Sequence, residues 1–234
     1  MGSTLRVLSA NLFLGRADPA AFVELVTSMD VDIVAVQEVG PEQAEALSEV
    51  MPHGYIEPSP DHTGLGIAMK GPGEIDRIAM TWRDAHRARL HPDDWPGLSR
   101  PIELLNVHMA APHVYNPPLW GFALRYRQVR DFERYLIDRD QMAPEISTVV
   151  IGDFNATPAW PLYRRISPHL TDAAVAVARA NGRTPQRTWG PWPGSARLAR
   201  IDHAFLRGIS AHDFHVVSIR KSDHSAIVVD LSLD

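Results

Sequence analysis

Polar side chains stand at the C-terminal ends of the most apolar runs of the chain. Asn11 follows Leu5 to Ala10, Gln37 and Glu38 follow Ile33 to Val36, His108 follows Leu104 and Leu105, and Asp153-Phe154-Asn155 follows Val149 to Gly152. A carboxylate or amide buried there without a partner costs on the order of several kcal/mol, so each needs a neighbour or a ligand. Strand ends that converge on one rim of a sheet are where sites are commonly assembled. Asp153 and Asn155 are two residues apart, so an extended backbone points both to one face and turns Phe154 into packing; the same arithmetic pairs Asn106 with His108. Nearer the C-terminus, Arg200-Ile201-Asp202-His203 and Ser222-Asp223-His224-Ser225 each set a carboxylate beside an imidazole. A carboxylate holds an imidazole in one tautomer and keeps it partly protonated. Adjacent strand residues face opposite ways, so Asp202, not Asp223, is the candidate partner of His224. With no cysteine in the chain, any metal here must sit on oxygen or imidazole ligands.

Composition narrows the alternatives. The chain has 234 residues, 23 Lys+Arg against 28 Asp+Glu for a net charge of −5, 45% hydrophobic and 22% charged residues. That balance supports a sizeable core and argues against disorder or a fibrous repeat. Cysteine is absent, which excludes disulfides, thiol nucleophiles and thiolate metal sites. No apolar run approaches the roughly 18 residues of a membrane span, and no signal-peptide pattern opens the chain. The expectation is a soluble domain, on either side of a membrane, with the compartment and the oligomeric state unread. Met1 to Thr4 reads as a linker remnant or expression scar, and an export or anchor segment in the natural protein stays open.

The elements that must position these side chains follow from periodicity. Leu5 to Ala10 and Val31 to Gln37 read as strands, the second so apolar that both faces should be covered. Between them a helix starts with Asp18 as cap and Pro19 at its first position, and carries Phe22, Leu25, Val26 and Met29 as an apolar stripe. A second helix begins at Pro41 and turns Leu47 and Val50 inward. Gly64 to Met69, Ile75 to Trp82 and Pro101 to Met109 read as short strands. In a helix over Ala123 to Asp138, Val129, Phe132 and Leu136 face the core, while Arg125 and Gln128 share another face. Ser147 to Gly152, Ala199 to Leu206, Phe214 to Ile219 and Ala226 to Leu231 complete the strands. Pro112 to Gly121 and Pro185 to Ser195 read as surface loops. No repeat or linker divides residues 5 to 234, so one domain is expected, with two packed sheets and helices outside.

In order along the chain, Ser9-Ala10-Asn11, Val36-Gln37-Glu38, Asn106-Val107-His108, Gly152-Asp153-Phe154-Asn155, Arg200-Ile201-Asp202-His203 and Ser222-Asp223-His224 resemble the motifs of the endonuclease/exonuclease/phosphatase superfamily, the DNase I-like metal-dependent phosphoesterases. The resemblance runs from about Leu5 to Leu231. It implies a four-layer α/β sandwich, two packed and mainly antiparallel sheets flanked by helices, with Mg²⁺ (or Mn²⁺ in its place) at one edge. Carried over by position, Glu38 resembles the principal metal ligand, with Asn11 beside it and Asp223 contributing to the metal shell. Asp153 resembles the residue that orients or deprotonates the attacking water. Asn155 and His108 resemble phosphate-oxygen binders, and His224, held by Asp202, the transition-state stabiliser. Arg125-Tyr126-Arg127-Gln128 is similar to an Arg-x-x-Gln helix of the family, making Arg125 an auxiliary member of the site.

Each residue also has a plainer role open to it. Asn11 can cap a turn, Glu38 can serve the helix after Pro41, Asp153 and Asn155 can form a turn, His108 can be a satisfied core histidine, and Asp202 with His224 can be a structural ion pair. Their joint order along the chain favours a site. His62, His86, His91, His113, His169 and His212 are expected at the surface, and His203 in packing. Trp189 reads as a pocket wall or a packing anchor. Trp95, Trp120 and Trp192, in Pro-rich loops, are candidates for contact with substrate, a membrane surface or a partner. The net negative charge does not favour a nucleic-acid substrate but leaves it open beside phospholipid or inositol head groups and small phosphate esters. The alternative in another class is a catalytically silent binding module that keeps the fold; such a module is expected to lose Glu38, Asp153 or His224, and this chain has all three.

Overall fold

A computed structural model describes residues 4–112 and 118–233. Twelve strands form two six-stranded sheets. The first has the order β11-β12-β1-β2-β4-β3, built from β1 (Thr4–Asn11), β2 (Ile33–Gln37), β3 (His53–Glu57), β4 (Leu65–Met69), β11 (Ser210–Ser218) and β12 (Ser225–Ser232). The second has the order β5-β6-β7-β8-β10-β9, from β5 (Glu74–Ile78), β6 (Ala85–Leu90), β7 (Ile102–His108), β8 (Ser147–Asp153), β9 (Thr171–Asp172) and β10 (Asp202–Arg207). Each sheet is antiparallel except for a central parallel pair, β1 with β2 and β7 with β8.

Alternation along the central strands sorts the apolar side chains into layers. In β2, Ile33 and Ala35 enter the core between the sheets, where Ile67, Leu104, Ile151 and Ile227 meet them. Val34 and Val36 face outward beneath α1 (Pro19–Ser28) and α2 (Pro41–Val50), packing with Phe22, Val26 and Leu47. On the far side, Leu105, Val107 and Val150 pack under α3 (Pro118–Met142) and α4 (Pro161–Ile166) with Phe132, Leu136 and Leu162. The result is the helix–sheet–sheet–helix sandwich expected from sequence, with α5 (Ala173–Ala180) against β10 and β11. Asp18 caps α1, accepting from Ala21 N at 3.2 Å, with Pro19 next, as its sequence signals.

A polar rivet crosses the inner core. Gln37 Nε2 donates to Asn106 Oδ1 (2.7 Å) and Ser9 Oγ (3.1 Å), while Asn106 Nδ2 donates to the Val36 and Gly66 carbonyls (2.9 and 2.7 Å). Gln37 and Asn106, with Ser9 beside them, are motif residues that thus lock the sheets together.

Several expectations change. The loop expected over Pro112 to Gly121 gives way to α3 at Pro118, with proline in the first turn where its missing N–H costs nothing. The strand expected to reach Trp82 stops at Ile78, and β3, β6, α4, β9 and α5 were not read from sequence. Trp95 is no contact residue: it is buried against the inter-sheet core and its indole donates to Pro72 O at 2.6 Å. His86 is buried rather than at the surface, its Nε2 2.9 Å from Glu57 Oε2, and burial lowers its pKa despite that carboxylate. Trp120 and Trp192 are exposed. His113 and Met1 to Ser3 lie outside the described residues. Among the described residues no helix is long and apolar enough to cross a membrane.

Candidate active site

Strand register gathers the motif residues on one rim. The parallel pairs set Asn11 beside Gln37 and His108 beside Asp153, and the antiparallel pair sets Asp202 beside Asp153. At Gly152 (φ 145°) an added Cβ would lie 2.0 Å from the Val107 carbonyl, so only glycine lets β7 and β8 approach closely enough to join His108 to Asp153. Glu38, just past β2, and Asn155, two residues past β8, both take left-handed backbone, φ 52° and 48°. For a glutamate that conformation is costly, and it turns the carboxylate back over the rim, where Leu14 N donates to Oε2 at 2.8 Å.

Around this rim the side chains interlock. Asn11 Nδ2 donates to Asp153 Oδ2 (3.0 Å) and Glu38 Oε1 (3.2 Å), and its Oδ1 accepts from Phe13 N at 2.9 Å. In that orientation Asn11 offers the site a donor that draws two carboxylates together, not an oxygen for a metal. His108 Nε2 lies 3.7 Å from Glu38 Oε1 and 3.6 Å from Asp153 Oδ2. Asn155 braces Asp153 twice, through its backbone N–H (2.7 Å) and its Nδ2 (3.1 Å), while Nδ2 also reaches Met109 O at 3.0 Å. His224 Nδ1 lies 3.0 Å from both oxygens of Asp202, and its Nε2 lies 3.9 Å from Asp153 Oδ2. Asp202, as expected, orients His224.

Asp223 stands apart from this set. Its Oδ2 accepts from Trp189 Nε1 at 3.2 Å, and its Oδ1 is buried with no donor among the described residues. Trp189 therefore holds the Asp223 carboxylate, and Thr188 next to it accepts from the Ile201 and Asp202 N–H groups at 3.2 Å. Arg125 is buried and donates to the Ala110 carbonyl and, at 3.0 Å, to Asn155 O. Gln128, one turn on, accepts from Ala110 N at 2.9 Å. The Arg-x-x-Gln pair thus fixes the backbone after β7 and β8. His203 is fully buried, Nε2 2.8 Å from Ala156 O, in the packing role expected of it.

Burial and charge divide the labour. Burial pushes the Asp153 carboxyl up to about 7, helped by Asp202 and opposed by His224. Burial also works against a charge on His224, but Asp202 and Asp153 outweigh it and raise the imidazole to about 10. His108 goes the other way: burial, then the nearby Arg83, keep it neutral well below the usual imidazole range. Arg83 Nη1 contacts His108 Nδ1, so Nδ1 is the acceptor and the ring proton is assigned to Nε2, pointing at the two carboxylates.

Arg83 is a rim residue that the sequence pattern did not bring to notice. Its Nη2 is buried with no acceptor among the described residues, and burial lowers its pKa only to about 10, so it remains a cation. An unpaired guanidinium N–H beside Glu38, His108 and Asp153 is a ready donor for an anion. Trp82 carries it: the indole lies 4.3 Å from the Arg83 guanidinium carbon and 6.1 Å, edge-on, from the His108 ring, on a φ of 78° that is strained for a tryptophan. The only advance signal was a Trp-Arg pair just after a strand.

A divalent cation is tested by the donor set. Asp153, Asp202 and His224 bring ligand atoms within 4.8 Å of one another. Asp202 is committed to His224, however, and a protonated imidazole has no lone pair to give. Glu38 Oε1 and Asp153 Oδ2 share both Asn11 Nδ2 and His108 Nε2 as neighbours, and they present hard oxygens at a partly open rim. That pair fits Mg²⁺, which takes one or two carboxylates and keeps the rest of its shell as water.

Comparison with known proteins decides the family. The sequence profile of the endonuclease/exonuclease/phosphatase family matches residues 8–224. The chain belongs to the endonuclease/exonuclease/phosphatase family. Its members are metal-dependent phosphoesterases, nucleases and phosphatases among them. An endonuclease/exonuclease/phosphatase from Bacteroides vulgatus superposes with a TM-score of 0.71 at 17% identity, covering 99% of this chain and 100% of that one. D. rerio TDP2 humanized by 14 mutations gives 0.71 at 15% identity, with 98% and 99% covered. The human Nocturnin catalytic domain with bound sulfate gives 0.66 at 20% identity, with 99% and 96% covered. At these identities the likeness is one of fold. No curated protein matches the chain significantly in sequence.

Proposed function

We propose that this family member hydrolyses a phosphomonoester or phosphodiester by in-line attack of water, with Mg²⁺ (or Mn²⁺) held by Glu38 and Asp153. The observation that carries the reading is the polarity of the rim: two carboxylates drawn together by Asn11 Nδ2, faced by three separate donors, His108 Nε2, Arg83 Nη2 and the Asp202-held His224. A bound divalent cation would supply Lewis-acid neutralisation of charge on the phosphoryl oxygens.

The chain's own residues account for the rest. Asp153, fixed by Asn155, orients the attacking water and takes its proton. His108, neutral with its proton on Nε2, and Arg83 donate to non-bridging oxygens. His224, protonated throughout the physiological range, donates from Nε2 to the charge that grows on the phosphorane-like transition state. Asn155 and Arg125 position Asp153 and the backbone around it; Asn11 holds Glu38 and Asp153 at their spacing. Asp223 Oδ1, a buried acceptor in want of a donor or cation, completes the acidic side.

Steady-state turnover of bis(4-nitrophenyl) phosphate and 4-nitrophenyl phosphate, with and without Mg²⁺ or Mn²⁺, tests the reading. Metal-dependent release of nitrophenolate is expected, with Glu38→Ala, Asp153→Ala and His224→Ala each losing about 10²–10³ in kcat while keeping the native circular dichroism. No turnover on these esters, or on plasmid, lipid and nucleotide panels, contradicts it and leaves a binding module.

A further inference from the structure

Beside the rim, between α3 and α4, runs a groove of ≈ 270 Å³ that nothing above uses. Its walls are the rings of Phe122, Tyr126 and Trp160, and its floor is Val129 and Leu162. Phe122 and Tyr126 are one helical turn apart, so they present one face, and they are 51% and 54% exposed. Large rings left in water beside a reaction centre are the kind of apolar surface that marks a binding site.

The groove borders the site through one buried side chain. Arg125 lines it and also donates to Asn155 O at 3.0 Å, and Asn155 Nδ2 donates to Asp153 Oδ2 at 3.1 Å. One guanidinium therefore bounds both spaces, and a group esterified to a phosphate at Asp153 and His224 has the groove as its neighbour. The walls alternate π-faces with cations: the Arg125 guanidinium lies 5.2 Å from the Trp160 ring centre, and those of Arg165 and Arg130 lie 5.2 and 6.0 Å from that of Tyr126. Ring and guanidinium planes reward a second flat π-system, not an alkyl chain. The volume falls just below the range of about 300–1,000 Å³ of drug-sized sites, room for one ring system. Arg125 and Arg165 line it, Arg165 being paired with Glu133 at 3.4 Å, and the exposed Arg130 stands over Tyr126.

We propose that the α3–α4 groove receives the nucleobase of a nucleotide-containing phosphoester whose phosphate lies at the rim, which makes nucleotides or nucleic-acid ends the substrate class. The inference rests on the phosphoesterase reading for its catalytic consequence, but binding of the base tests it independently. Phe122, Tyr126 and Trp160 act as a stacking platform, and Arg165 as the cation that sets the position of the Tyr126 ring.

Isothermal titration with adenosine 5′-monophosphate and with ribose 5-phosphate, both without divalent metal so that neither is turned over, isolates the base. The nucleotide is expected to bind about ten-fold or more tightly, the worth of one base–aromatic stack. Phe122→Ala and Tyr126→Ala, both at exposed positions, are expected to bring the affinity ratio towards one. Equal affinities in the wild type, or a ratio that survives both substitutions, overturns the groove assignment. A second arm compares kcat/KM for thymidine 5′-(4-nitrophenyl phosphate) and methyl 4-nitrophenyl phosphate, which share a leaving group. The nucleoside ester is expected to be preferred about ten-fold or more, through KM, and the preference to shrink in Tyr126→Ala; equal kcat/KM values contradict the inference. Failure to hydrolyse either ester with Mg²⁺ or Mn²⁺ defeats the phosphoesterase reading, while the titration still decides the groove.

Discussion

Replacing Asp202 by Asn keeps the shape of the pair with His224 and removes its charge. The His224 ring nitrogen lies 3.0 Å from both Asp202 oxygens. With charge centres about 4 Å apart and an effective dielectric of about 20, the attraction is worth about 4 kcal/mol, or about 3 pKa units. Asp202→Asn should therefore bring His224 from about 10 to about 7, with burial still opposing the charge. At pH 8 the protonated fraction then drops from near unity to about one tenth, so kcat falls at least about ten-fold from protonation alone. The descending limb of the pH–rate profile moves from near pH 10 to near pH 7. A ring-proton NMR titration of the metal-free protein reads the same shift without turnover. Stability carries a third signature. The folded protein keeps the His224 proton up to about pH 10, whereas an unfolded imidazole releases it near 6.5. The pair's contribution is thus complete below pH 6.5, is lost as the pH rises to about 10, and is absent above; in Asp202→Asn that slope should largely vanish. If His224 in the variant still titrates near 10, or the basic limb does not move, Asp202 is not what charges His224 and the electrostatic account of this residue fails.

Arg83→Gln should lower kcat/KM for phosphoesters about 10- to 100-fold, because a charged donor to a substrate oxygen is worth about 1.5–3 kcal/mol; a value within two-fold of wild type removes Arg83 from the site. Gly152→Ala, whose Cβ would sit 2.0 Å from Val107 O, should cost about 3 kcal/mol or more in chemical denaturation, and an unchanged midpoint refutes the close-approach argument. Asn106→Ala removes one of the acceptors of Gln37 Nε2 and the side-chain donor to two buried carbonyls and should destabilise by about 2–4 kcal/mol, in contrast to the kinetic defects of the rim variants; an unaltered unfolding midpoint contradicts the rivet.

Much of the rim was legible because its residues break a rule: Asn11, Glu38, His108 and Asp153 follow strands whose two faces are both buried, where a polar side chain has no place without a purpose. The partnership of Asp202 with His224 followed from strand alternation alone. What sequence could not give was the content of β6, Ala85–Leu90, in which His86 and Arg87 alternate with alanines and look exposed. They are buried because partners on other strands hydrogen-bond them, Glu57 for His86 and Asp76 with Glu103 for Arg87. With β6 unread, the turn before it and its Arg83 were invisible as site components. Trp95 misled for a similar reason: a Pro-rich, polar neighbourhood suggested a surface loop, but the indole finds Pro72 O and packs inward. The role of Asn11 likewise depends on amide orientation, which Phe13 N settles and spacing does not.

Manganese soaked into crystals and located by its anomalous scattering tests the central claim most directly. The account expects one strong peak at the rim, within bonding distance of Glu38 and Asp153 and lost in Glu38→Ala. A peak instead at the Asp213, His215 and Asp230 cluster on β11 and β12, or no peak at concentrations that support turnover, would contradict it.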